Sequence, residues 1–131
     1  VAEYERMLQV QPGNAVVLNN LAWSYQQLGD PRALGTAEKA WNAATGNPSI
    51  ADTYGSILLE KGDAAKALSF LETAAKGLPD DADVQVRYAS ALLESGRRAD
   101  ALQVLKQVSV AKNASAKARA TADQLLAKEG Q

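Results

Sequence analysis

Apolar residues recur at intervals of three and four along most of the chain. One stretch carries Leu18, Leu21, Ala22 and Tyr25, a second Ala51, Tyr54, Gly55 and Leu58, and a third Val84, Tyr88, Ala89 and Leu92. Each set falls on one face of a helix with 3.6 residues per turn. Between and after these stretches, Ala67, Leu71 and Ala74 keep the same spacing as Ala101, Leu105 and Val108. Large residues alternate with Ala or Gly, as two interlocking helix faces require. The pattern predicts helices over Ala15–Leu28, Pro48–Lys61 and Ala82–Ser95, here termed A helices. It predicts B helices over Pro31–Ala44, Ala64–Gly77 and Arg98–Val108.

The residues between these segments support the boundaries. Asn14, Asn47 and Asp81 stand where an A helix needs an N-cap, and their side chains can accept the orphan N–H groups of its first turn. Pro48 follows Asn47 at the first helical position, and Asp30-Pro31 repeats the arrangement before a B helix. Pro12 and Pro79 close the preceding B segments. Gly29, Gly62 and Gly96 end the A helices, where the chain must reverse and positive φ is expected. Their separations are 62 − 29 = 33 and 96 − 62 = 34 residues. A helix pair repeated at this period predicts an all-α solenoid, in which each pair buries its apolar side against the next.

These positions resemble the tetratricopeptide repeat. The second copy carries Tyr54, Gly55, Leu58, Gly62, Asp63, Ala67, Leu71, Ala74 and Pro79. The third carries Tyr88, Ala89, Leu92, Gly96, Ala101, Leu105 and Val108. The first carries Leu21, Ala22, Tyr25, Gly29, Asp30 and Ala40. The first copy departs from the pattern. It is one residue short after the turn and has Thr45 where Pro is usual, so a local shift of its B helix is expected.

The resemblance covers residues 1–108 and implies a right-handed α-α superhelix with repeats at 13–45, 46–79 and 80–111. Residues 1–12 read as the B helix of a truncated preceding repeat, with Tyr4 and Met7 in its core slots. Residues 112–131 read as a capping helix that covers the last apolar face through Ala114, Ala118, Ala122, Leu125 and Leu126. Lys117, Arg119 and Lys128 would then face water. The alternative, a cationic nucleic-acid arm, is weakened by Asp123 and Glu129.

A narrower resemblance rests on Asn19-Asn20-Leu21-Ala22-Trp23, Gly29-Asp30-Pro31-Arg32-Ala33-Leu34, Asn47-Pro48 and Asp52-Thr53-Tyr54-Gly55. These resemble the C-terminal repeats of bacterial envelope lipoproteins that accompany exopolysaccharide and exosortase (PEP-CTERM) systems. That likeness implies a periplasm-facing parent protein; without it, cytoplasm is equally reasonable.

The tetratricopeptide resemblance also implies a concave groove lined by one stripe of the A helices. The stripe comprises Val16, Asn19, Trp23, Gln26 and Gln27; Ser49, Asp52, Ser56, Leu59 and Glu60; and Asp83, Val86, Ser90, Leu93 and Glu94. Polar groups interspersed with apolar anchors suit a peptide or protein segment. Trp23 is the leading anchor, since Trp is enriched in binding hot spots, although packing against the N-terminal helix or plain surface exposure is equally open. Trp41 falls in a B-helix slot and is expected in the core. Some members of the family clamp a partner's terminal carboxylate, but Asp52 and Asp83 occupy positions where cations would be needed. The acids Asp52, Glu60, Asp83 and Glu94 favour a basic or polar segment instead, unless they are simply a solvated face.

Composition narrows the alternatives. Lys+Arg is 14 and Asp+Glu is 15, a net charge of −1, so nothing draws the chain to nucleic acid or an anionic membrane. Histidine and cysteine are absent, which removes the usual general base, thiol nucleophile and metal ligands. Acid pairs such as Asp80/Asp81 and Glu60/Asp63 fall in turns, where capping accounts for them, and no glycine-rich phosphate loop occurs. Neither enzymatic activity nor a cofactor is expected. No run of about 18 apolar residues would span a membrane. The chain opens at Val1 within a helical pattern, which suggests a segment of a longer protein with any targeting signal upstream. A second role is then architectural, with the uncovered apolar stripe of Tyr4, Met7 and Leu8 driving homodimer formation through residues 1–10.

Overall fold

The structure is a computed structural model that describes residues 1–129; Gly130 and Gln131, the end of the expected capping segment, lie outside the described residues. Eight α-helices and no strands occur among the described residues. They are α1 (Ala2–Val10), α2 (Ala15–Gln27), α3 (Ala33–Ala43), α4 (Pro48–Glu60), α5 (Ala64–Gly77), α6 (Ala82–Glu94), α7 (Arg98–Val110) and α8 (Ala116–Glu129). None is long and apolar enough to cross a membrane.

The A helices α2, α4 and α6 start at the expected caps. Asn14 Oδ1 accepts from Val17 N at 3.1 Å, Asn47 Oδ1 from Ser49 N at 2.9 Å, and Asp81 Oδ1 from Val84 N at 3.2 Å. They end in the same way. Gly29, Gly62 and Gly96 have φ of 67°, 87° and 80°. The next residue in each case returns its N–H across the turn: Asp30 to Tyr25 O, Asp63 to Leu58 O, and Arg97 to Leu92 O. This paired closure satisfies carbonyls that a helix end would leave orphaned.

The first B helix departs from the sequence expectation. Helix α3 begins at Ala33 instead of Pro31, because the Asp30 carboxylate accepts from Arg32 N at 2.9 Å and holds residues 31–32 in a turn. The start lies 33 − 29 = 4 residues beyond Gly29, against 64 − 62 = 2 and 98 − 96 = 2 in the later pairs. At its far end Gly46, with φ of 93°, makes the reversal that no proline marks.

Helices α3 and α5 each pack on the A helix before and the A helix after, and α7 packs on α6 and on α8, so the core is a chain of neighbour contacts. Ile57, Leu71, Leu92 and Leu105 are among the most completely buried large side chains. Gly55 permits the close approach of α4 to α5; a Cβ there would lie 2.7 Å from Leu71 Cγ. Trp41 joins the core as expected, edge-on to Phe70 with ring centroids 5.1 Å apart. At the C-terminal end Ala118 and Ala122 of α8 are buried against the cluster containing Leu105 and Val108. At the N-terminal end the expected pair of core residues is corrected. Tyr4 and Leu8 pack on the core, but Met7 is 47% exposed. Helix α1 has only α2 to lean on, so its flank stays uncovered.

Candidate binding groove

The A helices lie side by side, and their common caps put matching residues at matching heights. Asn19 and Asp52 are 52 − 19 = 33 residues apart, the same step that separates Gly29 from Gly62. Two polar links cross the stripe. Gln26 Nε2 on α2 donates to Ser56 Oγ on α4 at 3.0 Å. Arg87 on α6 donates to both oxygens of Asp52 on α4, from Nε at 2.7 Å and from Nη2 at 2.6 Å. A bidentate guanidinium–carboxylate pair fixes direction as well as charge.

Burial alone would lower the proton affinity of Arg87. The hydrogen bonds and charge of Asp52, followed by Asp83 and Asp81, outweigh it, and the net shift is upward. The pair forms a strut between α4 and α6. Asp52 is not a free anion awaiting a ligand, and Arg87 is not a free cation.

A cleft of roughly 410 Å³ opens on this face. Asn19 and Trp23 of α2, Asp52 and Thr53 of α4, the cap residue Asp81 and Val84 of α6 line it, and Tyr4 of α1 closes one side. Trp23 is 55% exposed. Asn19 Oδ1 is buried and has no hydrogen-bond partner among the described residues.

Of the stripe residues singled out from the sequence, Asn19, Trp23, Ser49 and Asp52 line the cleft together. Gln26 and Ser56 form their link outside it. Leu59 is half-buried against the central core, and Asp83 is exposed. Val86 differs from the expectation: it is only 9% exposed and sits in the C-terminal cluster with Ala118 and Ala122. Helix α8 packs on α6 as well as α7, and this buries the valine. Ser90 Oγ donates back to Val86 O at 3.1 Å.

The sequence reading missed the Arg87–Asp52 strut. Its trace was present: opposite charges 87 − 52 = 35 residues apart, one repeat plus one residue. It also missed Tyr4 as a wall of the cleft. No group of three potential metal-ligating side chains converges among the described residues.

Comparison with known proteins places this geometry. The family described as Tetratricopeptide repeat matches residues 1–113. Among solved structures, the crystal structure of MamA aligns with a TM-score of 0.75 at 18% identity, covering 96% of this chain and 82% of that one. A second MamA structure, titled AMB-1, aligns at 0.66 with 23% identity, over 92% and 66% of the two chains. A D159K mutant of MamA aligns at 0.65 with 23% identity, over 93% and 63%. At these identities the likeness concerns the fold alone. No curated protein matches the sequence.

Proposed function

Because the chain belongs to the tetratricopeptide repeat family, we propose that it is a protein-interaction scaffold that holds a peptide or protein segment in the cleft along its A helices. The repeats would be 13–45, 46–79 and 80–111, with 112–131 as the cap. The observation that carries this reading is the position of Trp23, more than half exposed on the wall that also holds Asn19 and Asp52. A rigid, exposed aromatic anchor suits a segment with an apolar side chain. Asp81 at the cleft and the exposed Asp83 favour a basic or polar segment. In this reading Gln26, Ser56, Leu59 and Ser90 shape the groove, and Val86 supports it from within the core. The reading assigns no catalysis, cofactor or metal.

Peptides selected from a random library against the folded chain would test it. Their affinity, by calorimetry, should fall for Trp23→Ala and for Asp83→Lys, with helicity by circular dichroism unchanged. Full affinity in both variants would remove the cleft from consideration. Asp52→Lys is a poorer probe, because it would set a second cation against Arg87.

A second reading is an assembly segment of a longer bacterial envelope protein, facing the periplasm if its likeness to the lipoprotein repeats holds. Met7 and Val10, one helical turn apart on α1, are 47% and 81% exposed and would drive homodimer formation through residues 1–10. Sedimentation velocity of the wild type and of a Met7→Lys variant tests this; a concentration-independent monomer in both rules it out.

A further inference from the structure

The three A helices share one register, and α8 shares it too. The N-caps Asn14, Asn47 and Asp81 each accept from the backbone N–H three residues on. Helix α8 starts in the same way: Ser115 Oγ accepts from Ala118 N at 3.0 Å. The four caps are 47 − 14 = 33, 81 − 47 = 34 and 115 − 81 = 34 residues apart. The third residue after each cap, Val17, Ile50, Val84 or Ala118, is buried. Helix α8 also packs on α6, as α6 does on α4 and α4 on α2. It is a fourth member of the A row, so the register tells which of its residues look along the groove.

Trp23, the anchor of the cleft, is the ninth residue after its cap. The second and thirteenth residues after a cap share its helix face, within about 40° at 100° per residue. The second residues are Val16, Ser49, Asp83 and Lys117, all exposed. The thirteenth are Gln27, Glu60, Glu94 and Lys128, also exposed. Charge therefore changes in steps along the face. Helix α2 contributes none, α4 Glu60, α6 Asp83 and Glu94, and α8 Lys117 and Lys128. None of these five makes an ion pair among the described residues. The other charged side chains of α8 are engaged elsewhere: Arg119 donates to Ala111 O, Asp123 accepts from Ser109, and Glu129 pairs with Arg98. The acids of α6 and the lysines of α8 offset one another in sum, so a partner reads their order. A recess between the starts of α6 and α8 is lined by Asp81, Asp83 and Ser115, and Asp81 also lines the cleft at Trp23, so the two meet there.

We infer that the groove continues across α8 and takes an extended partner segment whose side chains run apolar, cationic and then anionic, with Lys117 and Lys128 receiving the anionic end. The inference rests on the groove reading above and specifies its partner. Packed helices lie about 8–10 Å apart and an extended chain advances about 3.3 Å per residue, so one A helix corresponds to about three residues of the segment. From the apolar residue over Trp23, a cation should follow about six residues on, over α6, and a carboxylate about nine on, over α8.

Random peptides long enough to cross the four A helices, displayed on phage and selected against the whole chain, test the inference. Those taken by the wild type should carry Asp or Glu about three residues beyond a Lys or Arg. Selection against Lys117→Glu combined with Lys128→Glu should put Lys or Arg in place of that acid and leave the apolar and first cationic positions as they were. Replacing the acid by Gln in a selected peptide should weaken its binding to the wild type several-fold, and less so at high salt. The same replacement should cost nothing further in Lys117→Gln combined with Lys128→Gln, whose helicity should match the wild type. Trp23→Ala should weaken every selected peptide. Peptides that need Trp23 but carry no such acid, or that bind the lysine variants at full affinity, would overturn this inference and leave the groove reading standing. Peptides indifferent to Trp23, or no selected peptide at all, would overturn both.

Discussion

Arg87 grips Asp52 with two parallel hydrogen bonds, at 2.7 and 2.6 Å, across the boundary between α4 and α6. The residues are one repeat and one position apart, so the contact ties one helix pair to the next. The strut holds two walls of the cleft at a fixed separation without entering the core. The Asp52 side chain is 17% exposed and that of Arg87 37%, so solvent screens the pair only partly.

A double-mutant cycle with Asp52→Asn and Arg87→Met should therefore give a coupling energy of about 1 kcal/mol, above the usual surface pair and below a buried one. Urea denaturation provides the measurement. Coupling near zero would mean that the pair merely decorates the groove.

Gly55 and Leu71 form the tightest junction between α4 and α5. Alanine is favoured over glycine in a helix interior by about 1 kcal/mol. At Gly55 the new methyl would lie 2.7 Å from Leu71 Cγ and 3.3 Å from Ala67 O. Gly55→Ala should destabilise the chain by about 1–3 kcal/mol despite its propensity. Leu71→Ala alone should cost about 2–5 kcal/mol. The two together should cost less than their sum, because the methyl would occupy part of the cavity. Additive losses in chemical denaturation would contradict the packing described.

Two other glycines should behave in opposite ways. Gly35 lies inside α3 with open space around it, so Gly35→Ala should stabilise by about 0.5–1 kcal/mol. Gly46 has φ of 93°, and Gly46→Ala should destabilise by about 1–2 kcal/mol. Melting temperatures of the two variants should move apart.

Asp30 links acid stability to the first turn. Its hydrogen bonds from the Arg32 side chain and backbone hold its carboxyl down at about 2, from an ordinary 3.8. The folded state thus binds a proton less readily than the unfolded chain. The stabilisation is complete above the unfolded value and fades as pH falls from about 4 toward 2. Thermal melts from pH 5 to pH 2 should show a smaller acid-induced loss in Asp30→Asn than in the wild type. Equal losses would remove Asp30 from the account.

The helices and their order were legible in the sequence because their causes are local. The caps Asn14, Asn47 and Asp81, the reversals at Gly29, Gly62 and Gly96, and the three-and-four spacing of apolar residues each act within one or two turns. The start of α3 was misplaced because Asp30 bonds Arg32 and delays the helix, a contest between two local options that composition does not settle. Gly46 went unnoticed because the proline that marks the other pair boundaries is missing there.

The amino-acid order by itself determined an all-helical chain of stacked pairs and its period, since propensity, capping and periodicity are short-range effects. Only the tertiary structure decided which stripe residues share a cleft, that Asp52 is already matched by Arg87, that Val86 is covered by α8, and that Met7 is left bare. Those outcomes depend on the rotation between successive pairs and on how far each end is covered. Both are set by side chains about thirty residues apart meeting in space.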